Sequence, residues 1–167
     1  MWFKNLAIYR LTEAFTLTPT ELEEKLHSLR FKPCSPTEVF SYGWTSPLGR
    51  NSEQLIHQAN GFMMLCATKE EKVLPTSVIN EMTADKISEK EDQETRKLTK
   101  KERSELKDQI IFELLPRAFS FSKRTFAYID PKGGWLIVDA ASAKKAEELI
   151  SFLRKNLVSL PLVPVST

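Results

Sequence analysis

Residues 55–68 read Leu-Ile-His-Gln-Ala-Asn-Gly-Phe-Met-Met-Leu-Cys-Ala-Thr, two strand-like runs joined by Asn60-Gly61. An Asn-Gly pair supplies the positive φ angles that a type I′ turn requires, so this stretch predicts a β-hairpin with strands at 55–59 and 62–68. Residues 126–139 repeat the pattern, with strands at 126–130 and 135–139 around the turn Pro131-Lys132-Gly133-Gly134. Two such hairpins predict an antiparallel sheet.

Two amphipathic helices are predicted outside the hairpins. Thr18, Pro19 and Glu21 combine a capping box with a proline at the first helical position. The helix that they open has one apolar face, formed by Leu22, Leu26 and Leu29. Ser142 caps a last helix, whose apolar face consists of Ala146, Leu149, Ile150 and Leu153. Each apolar face has to be covered, and we expect the sheet to cover it.

The remaining strand signals are shorter. Residues 2–11 are rich in β-favouring side chains and predict a strand, and 14–17 and 39–44 predict two more. The segment 160–165 is apolar, and its two prolines keep it extended, so we expect it to pack against a partner.

Residues 76–115 predict a charged helical arm. Residues 76–97 are polar with a thin apolar stripe, which is typical of a helix that faces solvent. Thr99 and Glu102 form a second capping box, and the helix after it ends at Pro116. The two helices in succession suggest a helical hairpin.

This order of elements contains hairpins separated by helices and no βαβ alternation, so the sequence predicts an antiparallel α+β fold. We expect three segments: a first α+β lobe at 1–75, the charged helical arm at 76–115, and a hairpin and helix at 116–167 that complete the α+β core.

The composition is that of a globular protein. Of the 167 residues 41% are hydrophobic and 28% charged, close to the average for folded soluble chains. No apolar stretch is long enough for a transmembrane helix, and the first residues do not have the pattern of a signal peptide. The two cysteines, Cys34 and Cys66, lie far apart without a partner motif, which favours a cytoplasmic protein.

The sequence offers little for catalysis, so we predict no catalytic residue, no metal site and no cofactor. The two histidines, His27 and His57, and the two cysteines lack the short spacings of zinc ligands. A phosphate-binding loop is absent from the sequence. Asp130 and Asp139 could be a nuclease-like carboxylate pair, but strand-end residues are the simpler interpretation.

The charge is unevenly distributed although the net charge is only +2. Residues 81–94 contain six acidic residues and two lysines, whereas 96–107 contain six basic residues and two glutamates. Further basic residues follow at Arg117, Lys123, Arg124 and Lys132. Basic residues along helix and loop, without an array of aromatic side chains, suit duplex phosphates better than a single strand. A charged helix can equally be no more than a solvated one.

Six blocks of the sequence, in this order, carry a family resemblance: residues 2–6, 9–11, 59–61, 69–75, 114–120 and 141–147. They closely resemble the bacterial RdgC family of recombination-associated proteins. The resemblance extends over the whole chain, and it implies that the chain corresponds to the N-terminal half of a longer protein.

The resemblance implies a non-enzymatic, nucleoid-associated protein that forms a ring-shaped homodimer around double-stranded DNA. It further implies binding with little sequence preference and restraint of the RecA recombinase, with no membrane partner. Phe119 matches an aromatic residue at a contact between subunits, in a loop that we place at the tip of the arm; a core position is the alternative. The DNA-binding residues that we predict lie in the two basic groups around the helix 106–115: Lys97, Lys100, Lys101, Arg117 and Lys123.

A second interpretation stays open. The chain could be a protein interaction module of a recombination factor, with DNA binding located in the missing C-terminal half. Duplex binding by this chain would distinguish the two.

Overall fold

The computed structural model describes residues 4–165, which contain seven β-strands and four α-helices. The strands are β1 Leu6–Leu11, β2 Phe40–Thr45, β3 His57–Ala59, β4 Phe62–Lys72, β5 Ser120–Asp130, β6 Trp135–Asp139 and β7 Leu162–Pro164. The helices are α1 Pro19–Leu26, α2 Thr76–Glu94, α3 Lys100–Leu114 and α4 Ala143–Asn156. Short 3₁₀ turns follow α1 at His27–Leu29 and α3 at Leu115–Arg117.

The strands form one sheet in the order β2-β4-β5-β6-β1-β7, and β3 pairs with β4. The pairs β1–β6, β1–β7, β3–β4 and β5–β6 are antiparallel. The predicted antiparallel α+β fold is therefore confirmed.

Both predicted hairpins form. Asn60 and Gly61 have φ angles of 52° and 84°, as the type I′ turn requires, and Ala59 pairs with Phe62. In the second hairpin Asp130 pairs with Trp135, and Gly134 has a φ of 76°. Asn-Gly and Gly-Gly therefore fix these turns locally.

The predicted helix starts are also confirmed. Capping boxes are present at Thr18 with Glu21 and at Thr99 with Glu102, and the Ser142 side chain accepts from the Lys145 amide. The predicted buried faces hold for α4 and for Leu22 and Leu26 of α1, whereas Leu29 is only half-buried.

Several of the predicted extended segments differ in detail from the structure. Residues 14–17 form no strand. Strand β5 begins at Ser120, six residues before the predicted start. The tail pairs with β1 of the same chain as β7, so its partner lies within the molecule. Of the predicted strand at 2–11, Trp2 and Phe3 lie outside the described residues, and the strand begins at Leu6.

The chain divides into two compact units. The first contains residues 4–32, 42–69 and 123–165 of the described chain, and the second contains 33–41 and 70–122. In the first unit, α1 and α4 cover one face of the sheet, and the residues without solvent exposure include Trp44, Leu65, Leu136, Val138, Leu149 and Leu153. The Trp44 indole donates to the Asn156 side-chain oxygen at 2.8 Å, which satisfies its buried N–H.

The second unit contains α2 and α3, the predicted helical hairpin. The ammonium group of Lys72 donates to the backbone oxygens of Ser35, at 3.3 Å, and Leu115, at 3.0 Å. The Val73 amide donates to the Phe119 carbonyl at 2.7 Å. These bonds hold the start of α2 beside the chain that follows α3, so this is the base of the arm. Among the helices of residues 4–165, none combines the length and the apolar character that crossing a membrane requires.

Candidate nucleic-acid interface

The tip of the arm is a tight turn between α2 and α3. Thr95 ends α2 in the left-handed conformation, with a φ of 54°, and its amide donates to the Glu91 carbonyl. Leu98 is buried, and its amide donates to a carboxylate oxygen of Glu91 at 2.8 Å. Thr99 then caps α3. The buried Leu98 side chain and the hydrogen-bonded amides of Thr95 and Leu98 therefore hold the turn in one conformation.

The two arginines of the tip are neutralised within the chain. Both terminal nitrogens of Arg96 donate to the two carboxylate oxygens of Glu102, at 3.0 and 2.7 Å. Arg103 lies 3.7 Å from a carboxylate oxygen of Glu91. The guanidinium of Arg96 and the backbone amide of Thr99 lower the pKa of Glu102 to about 2. The ion pairs of these two arginines therefore stabilise the turn, and their charges are compensated within the chain.

The three predicted lysines of the tip lie together and are exposed. Within residues 4–165, Lys97, Lys100 and Lys101 take part in no salt bridge. Lys100 and Lys101 are the first two residues of α3, where the helix dipole is positive. Three ammonium groups at the positive end of a helix repel one another, so a bound anion would stabilise this group.

The other two predicted DNA-binding residues lie elsewhere. Arg117 is exposed beyond the C-terminal end of α3, and α3 itself, from Lys100 to Leu114, is about 21 Å long at 1.5 Å per residue. That length corresponds to about six base pairs of duplex. Lys123 belongs to the first unit, where it is exposed on β5. Arg117 is therefore separate from the three lysines at the tip.

Phe119 is the most exposed phenylalanine of the described chain, with 86% of its surface accessible. The core alternative for this residue therefore does not hold. Its placement at the tip of the arm is also wrong, because its carbonyl accepts from Val73 at the base. Strand β5 begins at the next residue, Ser120, so the predicted loop after α3 is short. The role of Phe119 in a subunit contact stays a prediction.

The predicted acidic pair forms no common site. The Asp130 carboxylate accepts from the Gly133 amide at 2.9 Å, and the Asp139 carboxylate accepts from the Asn5 amide at 3.0 Å. Asp130 pairs with Trp135 at one end of β6, and Asp139 is at the other end. Four residues of strand separate them by about 13 Å, too far to share a metal ion. In residues 4–165 no three His, Cys, Asp or Glu side chains are placed to hold a metal ion together.

Sequence reasoning missed two features of the helical arm, one at its tip and one at its base. It selected Lys97, Lys100 and Lys101 from the six basic residues of 96–107, but it did not predict that Arg96 and Arg103 are paired with Glu102 and Glu91. The pairing of Arg96 could have been predicted, because the capping box places the Glu102 carboxylate beside the turn that contains Arg96. It also missed Val73, an exposed apolar residue whose backbone is bonded to that of Phe119. This pairing joins distant segments and leaves no local signal.

The low pKa of Glu102 makes the tip sensitive to acid. Because the pKa is below its ordinary value of 4.5, ionised Glu102 stabilises the turn above pH 4.5, and this stabilisation is lost as the pH falls towards 2. We expect a carbon-detected NMR titration to give a pKa for Glu102 near 2. Arg96→Gln should raise this pKa, whereas Arg103→Gln, which removes a partner of Glu91, should leave it low. An unchanged pKa in Arg96→Gln would contradict the assignment.

Comparisons with known proteins agree on one family. A family model described as "RdgC: Putative exonuclease, RdgC" matches residues 1–167. The recombination-associated protein RdgC of Tolumonas auensis is 51% identical over 164 residues, which are 98% of this chain and 54% of that protein. The proteins of that name from Aeromonas hydrophila and Yersinia pestis are 48% and 46% identical over 166 residues, 99% of this chain and 55% of each relative. The chain thus spans about half the length of these curated relatives.

Proposed function

This chain belongs to the RdgC family of recombination-associated proteins, and on that basis we propose that its helical arm binds the phosphate backbone of double-stranded DNA without reading base sequence. The observation that carries the proposal is a group of three exposed ammonium groups at the tip of the arm, on Lys97, Lys100 and Lys101, which form no salt bridge within residues 4–165. Phosphate is the anion that such a group suits, because each lysine can neutralise one phosphate and release its counterions.

The charges around the tip support an anionic partner. Glu91 and Glu102 are occupied by the two arginines, so they are not available to neutralise the lysines. Arg117, beyond the far end of α3, which is about 21 Å long, could reach a second set of phosphates on the same duplex. Lysine side chains act as point charges, and contacts of this kind position a protein on DNA without specifying a sequence.

We expect duplex binding to be insensitive to base sequence. Fluorescence anisotropy with two unrelated duplexes of equal length, at one salt concentration, should give dissociation constants that agree within about twofold, since phosphate contacts carry no sequence information. A preference of more than tenfold for one duplex would contradict backbone binding.

We further propose that the protein acts as a homodimer that encloses DNA at the nucleoid in the cytoplasm, and that Phe119 contributes to the closing contact. The support is its exposure, since a phenylalanine left in water is costly and is stabilised by burial against a partner. A closed ring on duplex would restrain RecA by occupying DNA. Binding would then not require a cofactor or a contact with RecA itself.

The alternative is a protein interaction module, with DNA binding in the part of the family that this chain does not match. The half-length match supports this alternative. It predicts that the chain binds no duplex at low salt, where phosphate contacts are strongest, and that a full-length relative does.

The exonuclease description of the family model supports a nuclease as a further candidate. We expect no turnover, because the strand-end carboxylates Asp130 and Asp139 are about 13 Å apart. Incubation of end-labelled duplex with the protein, magnesium and ATP should leave DNA and ATP intact. Cleavage that follows the purified protein, and that chelation abolishes, would overturn this prediction.

A further inference from the structure

The sheet of the first unit has a second face that is also apolar. Buried side chains of β5, β6 and β1, such as Ile129, Val138 and Tyr9, point to the face covered by α1 and α4. The side chains that alternate with them, such as Tyr128, Ile137 and Ile8, point the other way and are only half-buried. We call the surface that they form the open face.

The strand registers show that the open face is continuous. Tyr128 pairs with Ile137, and Ile137 pairs with Ile8, so these side chains stand in one row across three strands. The Val165 amide extends this row by donating to the Ile8 carbonyl at 2.9 Å. At the other end the Phe62 ring meets the Tyr128 ring edge-on, with centroids 5.7 Å apart.

A groove of about 300 Å³ continues this surface beyond Tyr128. Its lining includes His57, Phe62 and Met64 from the first hairpin. On the neighbouring row the Arg10 guanidinium lies 5.3 Å from the centre of the Trp135 ring, and on β5 the Arg124 guanidinium lies 5.0 Å from the centre of the Phe126 ring, so these basic residues pack on aromatic rings. The open face is therefore mainly apolar from β3 to β7.

A solvated face of an antiparallel sheet normally alternates to polar side chains, whereas strands that are apolar on both sides are buried on both sides. A contiguous, partly exposed apolar surface of this kind is typical of a site of contact with another polypeptide. Asp130 and Asp139 place negative charge on this face beside Trp135 and Leu6, and the Arg10 guanidinium packs on an aromatic ring, so the face offers little to a nucleic-acid backbone. The occupant is therefore expected to be apolar protein.

We propose that the open face is covered by the part of the longer RdgC family proteins that this chain does not match. Those relatives carry almost as much chain again as they share with this one. A segment joined to the sheet in the same polypeptide acts at an effective concentration on the order of millimolar, so it competes well against a second copy that must meet the face by diffusion. It would form a third layer on the sheet.

The test compares this chain with a full-length chimaera, in which it replaces the matched part of the Tolumonas auensis protein. Hydroxyl-radical labelling is read at Tyr128, Trp135 and Met64 on the open face, and at Phe112 on α3, which is exposed in the other unit. We expect several-fold weaker labelling of the three open-face residues in the chimaera, unchanged by dilution, and equal labelling of Phe112 in both proteins.

Three results would overturn the proposal. Equal labelling of the open face in both proteins would mean that the additional chain does not cover it. Protection that is already present in this chain and disappears on dilution would identify a second copy as the occupant. Protection that appears only on addition of a single-stranded oligonucleotide would identify nucleic acid. None of these results depends on the lysines of the arm, so failure here is distinguishable from failure of the proposed duplex binding.

Discussion

Replacing Lys100 and Lys101 with glutamate is expected to lower duplex affinity by about 60-fold at 0.1 M salt, because each lost phosphate contact removes about 0.9 from the slope of log affinity against log salt. The slope itself should become shallower by about 1.8 for the pair. Adding Lys97→Glu should cost about a further eightfold on the same basis. The loss should be equal for unrelated duplexes, because these lysines contact the backbone and not base edges.

The matched control is Lys86→Glu with Lys90→Glu. These lysines also lie in the arm, but they line the groove between α2 and α3 together with Glu89 and Glu113. The control has the same change in net charge and should change affinity far less. If Lys100→Glu with Lys101→Glu leaves affinity and slope unaltered, or if the control has an equal effect, the tip is not the DNA-binding surface.

Phe119→Ser is expected to weaken self-association strongly while leaving the fold intact. Burial of one phenylalanine contributes roughly 1.5–3 kcal/mol, and a two-fold contact loses two of them, about 3–6 kcal/mol in all. This is a rise of about 10²–10⁴-fold in the dimer dissociation constant. Duplex affinity should fall as well, since a ring that opens no longer retains DNA. Sedimentation and anisotropy, preferably in a full-length context, measure the two effects.

The unfolding temperature separates this role from a structural one. A surface substitution changes stability by about 0.5 kcal/mol or less, so the melting point should move by no more than about 2 °C. Val158→Ser is the control, because Val158 is 99% exposed in the first unit and should alter neither association nor stability. A large fall in melting temperature with unchanged association would remove Phe119 from the interface.

The parts of the fold that short-range chemistry determines could be predicted from the sequence. The capping boxes at Thr18 and Thr99 and the turn at Asn60-Gly61 each involve residues within four positions, and all three are confirmed. The family resemblance is confirmed as well, because six separate blocks in order are far more specific than any one turn.

Long-range pairing accounts for most of what the sequence could not predict. Residues 14–17 have strand-like side chains but pair with no strand of the described chain, and β-propensity without a pairing partner is insufficient. The polar start of β5 gives no strand signal, although the Phe119 carbonyl pairs with the Val73 amide just before it. At the candidate site, composition identified the basic group, but only the geometry distinguishes the paired arginines from the unpaired lysines.

The central claim is that this chain itself holds DNA by its phosphates, and the salt dependence of duplex affinity tests it most directly. Anisotropy between low and physiological salt, with a full-length relative measured beside this chain, gives the slope of log affinity against log salt. Three lysines at the tip predict a slope of about −2.7, and Arg117 and Lys123 would bring it to about −4.5. A slope near zero, or no binding by this chain at low salt where the full-length relative binds, would contradict the claim and favour the protein interaction module.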